Sequence, residues 1–487
     1  MIWDGEFFPS AHINERGRRA ASALRDLGVS EGGAVALLLR NEPVFFEAWS
    51  AAASTGAVVV PLNWHLRPDE IAHILDDCRA EVLVADTALL SSLEGVRVGR
   101  TVVTSGGEWE ALVQQYAPIP TAVTPSAPAL LYSSGTTGRP KGIRRLPRSA
   151  EAAAIYARVS QAVYGIEPGM CTVVAAPLYH SAPLYHATSA FTAGGTLVLQ
   201  SRFDAAELLA LIERYRVTNL LVVPTMLRRL LQLPAHERER HDLSSLRHVI
   251  MGAAPAPHDL KVEVIEWLGP ILYEYYGATE TGIVAACDSA EAIAHRGTVG
   301  RPVEGATVRI MDDSGLELPP GSVGNVYARN RGSADFVYEN LPEERAAVER
   351  GGLIGCGDVG YVDADGYLYL LDRRNDMVIS GGVNIYPAEV EAQLAAMRGV
   401  ADSAVFGIPD DDYGEALAAV VVPLPGSRLT EAGVLAFLRR RLGGMKVPKS
   451  VEIRDRLPRD PNGKLMKRQL RAEYAEEADR SVQIPGA

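Results

Sequence analysis

Residues 131–142 read Leu131-Tyr132-Ser133-Ser134-Gly135-Thr136-Thr137-Gly138-Arg139-Pro140-Lys141-Gly142, three glycines and five hydroxyl side chains with a lysine near the end. The apolar stretch Ala127 to Leu131 precedes the loop. A strand running into a glycine- and hydroxyl-rich loop with a cation is suited to binding oxyanions. Small residues let backbone N–H groups approach a phosphate, hydroxyls add donors, and the ammonium supplies charge. The spacing is not that of the Gly-x4-Gly-Lys-Ser/Thr loop, which occurs nowhere in the chain, so this is a polyphosphate cradle of another type.

Five further segments follow this loop in order along the chain. They are Pro177-Leu178-Tyr179-His180, Met251-Gly252-Ala253-Ala254-Pro255, Tyr276-Gly277-Ala278-Thr279-Glu280-Thr281-Gly282, Gly357-Asp358 with Asp372-Arg373, and Pro461-Asn462-Gly463-Lys464. A carboxylate such as Asp358 has the acceptor geometry for a diol. A carboxylate such as Glu280 suits a hard, oxygen-seeking cation. His180 and His186 have no cysteine or carboxylate cluster around them in the sequence, which argues against a metal site there.

The elements that must hold these segments alternate. Residues 14–28 and 43–56 read as helices, 34–39, 57–62 and 81–85 as apolar strands, and Arg67-Pro68-Asp69-Glu70 opens a helix through about Cys78. This βαβα pattern predicts an α/β domain with parallel sheets. It resumes at 172–177, 196–200, 204–216, 219–223 and 247–252, and Pro177, Pro224 and Gly252 place loops at the strand C-termini, where open α/β sheets bind ligands. From about 298 short strands (306–310, 324–328, 360–362, 367–371) alternate with turn residues and predict a β-rich subdomain. A smaller α+β segment follows Asp372-Arg373-Arg374-Asn375-Asp376. In it Pro387 begins a helix with Val390, Leu394 and Met397 on one face, strands lie near 401–407 and 417–423, and a helix lies near 430–442.

At 487 residues the chain exceeds what one core usually supports, so more than one domain is expected. A net charge of −12 disfavours nonspecific binding of nucleic acid or an anionic membrane, so an anionic substrate needs local positive charge or a metal. Cys78, Cys171, Cys287 and Cys356 are scattered and form no C-x-x-C pair, which fits a reducing cytoplasm. No run reaches membrane-spanning length, and residues 1–20 contain no signal core.

The six motifs, in this order and spacing, resemble the adenylate-forming superfamily of acyl-CoA synthetases, amino-acid adenylation domains and beetle luciferases, over nearly the whole chain. The resemblance implies a large N-terminal domain, 1–373, of two parallel-sheet α/β subdomains and a β-rich, barrel-like one. A small mobile α+β lid, 374–487, would swing about a hinge near 373–376. It implies a carboxylate and ATP giving acyl-AMP and pyrophosphate, then attack by a thiol that releases AMP. Ser133, Ser134, Gly135, Thr136, Thr137 and Lys141 would hold the leaving phosphates, Glu280 would hold Mg²⁺, and Thr279 would contact the α-phosphate. Tyr276 would stack on adenine beside Gly277, with Gly252, Ala253 and Ala254 on the other side of the ring. Asp358 would accept the ribose hydroxyls, and Arg373 would add a second contact.

By the same resemblance Lys464 would reach the α-phosphate and the attacking carboxylate in one pose of the lid. Gly381 and Gly382 would line the tunnel for coenzyme A in the other. Asn375 falls at the hinge, and His180 at a gate near the acid. His180 and Ser181 stand where amino-acid adenylation domains place an acidic residue, which argues against an amino-acid substrate. Small walls at Ala253, Ala254, Ala256 and Ala278 leave volume in the pocket. The segments Gly138–Arg145 and Asp372–Val378 resemble the bacterial branch of the family that activates fatty, steroid-side-chain and terpenoid acids, and the resemblance implies a bulky hydrophobic carboxylic acid, with polycyclic acids among the candidates. A medium- or long-chain fatty acid, a separate carrier protein as thiol, and a non-catalytic nucleotide-binding relative are the alternatives. A homodimer is compatible with the sequence, and no nucleic-acid partner is expected.

Overall fold

The computed structural model describes residues 1–96, 101–103, 107–120, 129–133, 140–254, 256–374, 376–380, 383–410, 412–459 and 465–482. Its elements follow the apolar patterning closely. Five consecutive buried residues make the strand Ala34–Leu38, flanked by the parallel strands Val58–Pro61 and Ala80–Ala85, with Thr101–Val103 beyond. A strand that is apolar at every position must be covered on both faces. The helices Ser10–Asp26 and Pro43–Thr55 pack with one face of this sheet into a shared core containing Ile13, Leu24, Phe45, Val35 and Val84. Ile71 and Ile74 of the helix Pro68–Asp77 cover the other face.

The second sheet has nine strands in the order Arg301–Pro302, Gly282–Cys287, Leu272–Ala278, His248–Met251, Asn219–Val222, Cys171–Val174, Thr196–Leu199, Ile2–Trp3 and Glu6–Phe7. From Leu272–Ala278 to Ile2–Trp3 the strands run parallel, while both edges are antiparallel. The parallel centre agrees with the sequence pattern. The antiparallel edge at 272–287 does not follow from it, because the polar turn Thr279–Thr281 interrupts the apolar period.

The β-rich region is an antiparallel sheet of Ala306–Met311, Gly324–Asn330, Leu353–Val362, Glu349–Arg350 and Leu368–Arg373. The expected strand at 360–362 is thus the end of a ten-residue strand. A separate three-stranded sheet joins Leu130–Ser133, Lys141–Arg145 and Phe336–Tyr338. The C-terminal region has its own sheet, in which Gly414–Pro423 pairs with Val400–Asp410, Val378–Ser380 and Ser450–Ile453. One of its cores draws only on this region, with Val378, Val390, Leu394, Val405, Leu417 and Val434 among its members. Among the described residues no helix is long and apolar enough to cross a membrane.

Candidate active site

Four neighbouring parallel strands end on one side of the large sheet and lead into the residues singled out above. Cys171–Val174 runs toward His180, Asn219–Val222 toward the helix Pro224–Leu231, His248–Met251 into Gly252, and Leu272–Ala278 into Thr279. The last of these folds back as a hairpin onto Gly282–Cys287. Its turn is tight: a Cβ on Gly277 would lie 2.1 Å from the Gly282 carbonyl oxygen. The Thr281 hydroxyl accepts from the Ala278 N–H at 3.1 Å.

Both functional side chains of the turn are tied to distant elements. The Thr279 hydroxyl donates to Ser181 Oγ at 3.2 Å, at the start of the helix Ser181–Thr192. The Glu280 carboxylate accepts from the Tyr338 hydroxyl at 3.0 Å. Burial, and then the Glu280 charge, pushes the Tyr338 phenol well above its usual range, so it stays a donor. From below, the Arg145 guanidinium donates to the carbonyl oxygens of Thr279 and Ala334. Burial lowers the pKa of this arginine, but two carbonyl acceptors compensate part of its lost hydration.

The Tyr276 hydroxyl donates to Asp358 Oδ2 at 2.6 Å, and Arg373 Nε lies 3.4 Å from the other oxygen of the same carboxylate. Asp358 and Arg373 are register partners on adjacent antiparallel strands. Asp358 is 9% exposed, its carboxylate held between a phenol and a guanidinium. On the far side, a Cβ on Gly252 would strike the Tyr275 ring at 2.4 Å, so the backbone lies flat against that tyrosine. Ala253 follows with φ of 68°, a left-handed conformation unusual for a residue with a Cβ and characteristic of ligand loops.

Ser133 closes the strand Leu130–Ser133 opposite Lys141. The Lys141 ammonium is paired with Glu344 and sits 5.9 Å from the centre of the Tyr338 ring. Lys141 and Glu280 therefore face the same tyrosine, and Glu344 occupies the cation that the sequence assigns to phosphate. Ser134, Gly135, Thr136, Thr137, Asn375, Gly381, Gly382 and Lys464 lie outside the described residues.

His180 caps the helix Ser181–Thr192, its ring 4.4 Å from that of Tyr179, which meets Trp64 edge-on at 4.7 Å. His186 has no part in the site. It is buried, bonded to Asn219 Oδ1 at 2.8 Å, and burial lowers its pKa to about 4, so it is a neutral core histidine.

Among the described residues no three His, Cys, Asp or Glu side chains are grouped to hold a metal. The one carboxylate at the turn, Glu280, retains acceptor capacity beyond its bond from Tyr338. A single carboxylate with substrate phosphates and water is a donor set that suits Mg²⁺, which keeps much of its hydration.

The structure thus brings Thr279, Glu280 and Lys141 to one side, and Tyr276, Asp358 and Arg373 to another side of the same hairpin. Sequence reasoning missed Tyr338, Glu344 and Arg145. Only Arg145 left a signal: two arginines directly after the phosphate loop, on a strand whose neighbours are apolar.

Residues 4–335 match the AMP-binding enzyme family, and residues 389–464 match the AMP-binding enzyme C-terminal domain. The chain is 38% identical to a feruloyl-CoA synthase from an Amycolatopsis species, over 95% of this chain and 93% of that protein. It is 34% identical to the fatty acid–[acyl-carrier-protein] ligase ScoC of Streptomyces coeruleorubidus, over 99% of this chain and 94% of that one. The o-succinylbenzoate CoA synthetase MenE of Bacillus subtilis, solved with its acyl-adenylate intermediate, superposes with a TM-score of 0.84 at 30% identity, covering 96% of this chain and 94% of that one.

Proposed function

The chain belongs to the AMP-binding enzyme family, and from that premise we propose how its residues divide the work and which acid they receive. The protein is an ATP-dependent acyl-CoA synthetase. It joins a carboxylic acid to AMP with loss of pyrophosphate, then passes the acyl group to the thiol of coenzyme A with release of AMP.

In the first step a carboxylate oxygen attacks the α-phosphorus, and the bond to the bridging oxygen of pyrophosphate breaks. Two anions meet, so catalysis is mainly positioning and charge neutralisation. Ser133, Ser134, Gly135, Thr136, Thr137 and Lys141 hold the departing phosphates. Thr279 bonds the α-phosphate by turning its hydroxyl proton to it, Ser181 then donating to the Thr279 oxygen in place of accepting from it, and Arg145 fixes that threonine by its carbonyl. Glu280 holds Mg²⁺, which supplies charge to the phosphates; Tyr338 orients the carboxylate. Asp358 accepts the ribose hydroxyls, with Tyr276 and Arg373 fixing its two oxygens. Lys464, on a lid beginning near 374, supplies the second cation. The same lid then turns to bring Gly381 and Gly382 to the thiol arm, while His180 gates the acid.

The observation that carries this reading is the hairpin 272–287. It places a partly buried tyrosine bonded to a carboxylate and a threonine–glutamate turn within one strand's length of each other.

The acid is a hydrophobic one bearing a ring. The similarity to ligases of ferulate and succinylbenzoate supports this. A pyrophosphate-release screen with ring-bearing and straight-chain acids tests it, with coenzyme A present and absent. Turnover of ring acids to CoA thioesters is expected. Because ScoC, a fatty acid–carrier-protein ligase, is also similar, the screen includes straight-chain acids with a carrier protein bearing a free pantetheine thiol. Activity there alone would favour that second reading.

A further inference from the structure

Beside the Thr279 turn lies a cavity of about 40 Å³ whose wall includes Arg145, Arg148, Tyr156, Tyr185, Ile283 and Ser333. None of the roles above uses Arg148, Tyr156 or Tyr185. The cavity has room for two or three water-sized groups. That is too little for a whole acid and enough for a substituent on one.

Its lining is unusual in charge. Along the strand Lys141–Arg145 side chains alternate between faces. Arg144 points to one side and is bonded in bidentate fashion to Glu339, at 2.7 and 2.9 Å. Arg145 points to the other, toward the cavity. Among the described residues neither Arg145 nor Arg148 lies within ion-pair distance of any carboxylate, in a protein with 60 acidic residues. Arg145 at least bonds two carbonyl oxygens. Arg148 stacks 3.9 Å from the centre of the Tyr156 ring, and its buried Nε has no partner among the described residues. A buried donor without an acceptor is costly, more so on a cation.

The position of the cavity relative to the reacting centre follows from one helix. Ser181 touches the Thr279 hydroxyl, and Tyr185, one turn further along Ser181–Thr192, lines the cavity. That turn spans roughly 6 Å. An acid whose carboxylate lies beside Thr279 would direct a ring substituent toward this space.

Resting on the reading of the protein as a ring-acid ligase, we propose that Arg148, seated on Tyr156, determines specificity for acids with a hydrogen-bond-accepting oxygen at the ring position farthest from the carboxylate. The oxygen is a phenolic, carbonyl or carboxylate oxygen. It occupies the cavity and bonds the Arg148 guanidinium. An apolar group of the same size leaves the guanidinium desolvated and unbonded. Discrimination from an unpaired polar group in a site exceeds what shape alone achieves.

The test compares three cinnamates with hydroxyl, carboxylate or methyl at the 4-position, by pyrophosphate release from the full-length enzyme with ATP, Mg²⁺ and coenzyme A. The wild type is expected to favour the hydroxyl or the carboxylate acid over the methyl acid by at least about 10²-fold in kcat/KM. Arg148→Met should shrink that ratio by about tenfold or more, chiefly through KM of the oxygenated acid. Tyr156→Leu, which removes the stack but keeps the charge, should shift the ratio in the same direction. Equal kcat/KM for all three acids in the wild type overturns the inference and leaves the ligase intact. So does an equal loss for all three acids in both variants, which would mark Arg148 as structural. No pyrophosphate release with any of the three acids overturns the ring-acid reading and this inference together.

Discussion

The Tyr276 hydroxyl donates to the Asp358 carboxylate across 2.6 Å, joining the hairpin of the large sheet to the β-rich sheet. The bond pre-aligns one carboxylate oxygen and leaves the other beside Arg373. Replacing Asp358 with Ala should raise KM for ATP by about 10–100-fold, the usual worth of hydrogen bonds to a charged group. Tyr276→Phe keeps the ring and loses one bond, so its effect should be smaller, about tenfold or less. Initial rates over an ATP series at saturating acid check both, and a larger effect in Tyr276→Phe would contradict the assignment.

Lys141 is paired with Glu344 rather than open to an anion. ATP phosphates must compete with that carboxylate. Glu344→Gln should therefore lower KM for ATP, by about two- to fivefold given the small worth of a partly exposed pair. Lys141→Met should raise it. Competition by added pyrophosphate, measured in both variants, distinguishes a phosphate contact from a change in folding.

Lys464→Ala should cut acyl-AMP formation by about 10²–10³-fold, by analogy with loss of an oxyanion donor. Conversion of supplied acyl-AMP to thioester should be largely spared. Asn375→Pro, at the hinge, should do the reverse. Single-turnover measurements of each half-reaction are the check. Equal loss in both halves would remove the lid from the scheme.

Lys261 and Glu274 form an ion pair beneath the large sheet, with side chains 2% and 5% exposed, and the ammonium also donates to the Thr298 carbonyl at 3.0 Å. Lys261→Met leaves a buried carboxylate without its cation and should destabilise the protein by about 3–5 kcal/mol. Urea unfolding should show most of that loss recovered when Glu274→Gln is added.

His186 gives a pH dependence. Burial lowers its pKa to about 4, below the unfolded value near 6.5. The unfolded state takes up a proton first as pH falls. The stability contributed by the neutral native histidine is therefore complete above pH ~6.5 and is lost as pH falls toward about 4, by roughly 3 kcal/mol at most. Urea midpoints measured across that window should fall less steeply in His186→Gln than in the wild type.

Much of this was legible in the chain. The apolar runs at 34–39, 57–62 and 81–85 became buried parallel strands with ends within a residue or so, because a continuous β-branched and apolar run has one satisfactory environment. The motif residues Tyr276, Thr279, Glu280, Asp358 and Arg373 lie together at two faces of one hairpin. The hairpin itself was not legible, because its turn is polar and its strands pair across a bulge at Tyr276 and Gly277. Nor was the core role of His186, since nothing near it in sequence announces Asn219, 33 residues away.

By itself, then, the sequence determined the class of chemistry: hydroxyls, glycines, a lysine and carboxylates at spacings that suit a nucleotide and its phosphates. The tertiary structure decided which side chain holds which. Tyr338 reaches Glu280 across 58 residues, Asp358 reaches Tyr276 across 82, and Glu344 reaches Lys141 across 203. Such pairs form where strands from separate sheets meet, and local propensity carries no record of that meeting. The same holds for Arg144 and Arg145. They are adjacent and chemically identical in the sequence, but the pleat of the strand sends one to a carboxylate and the other to a cavity.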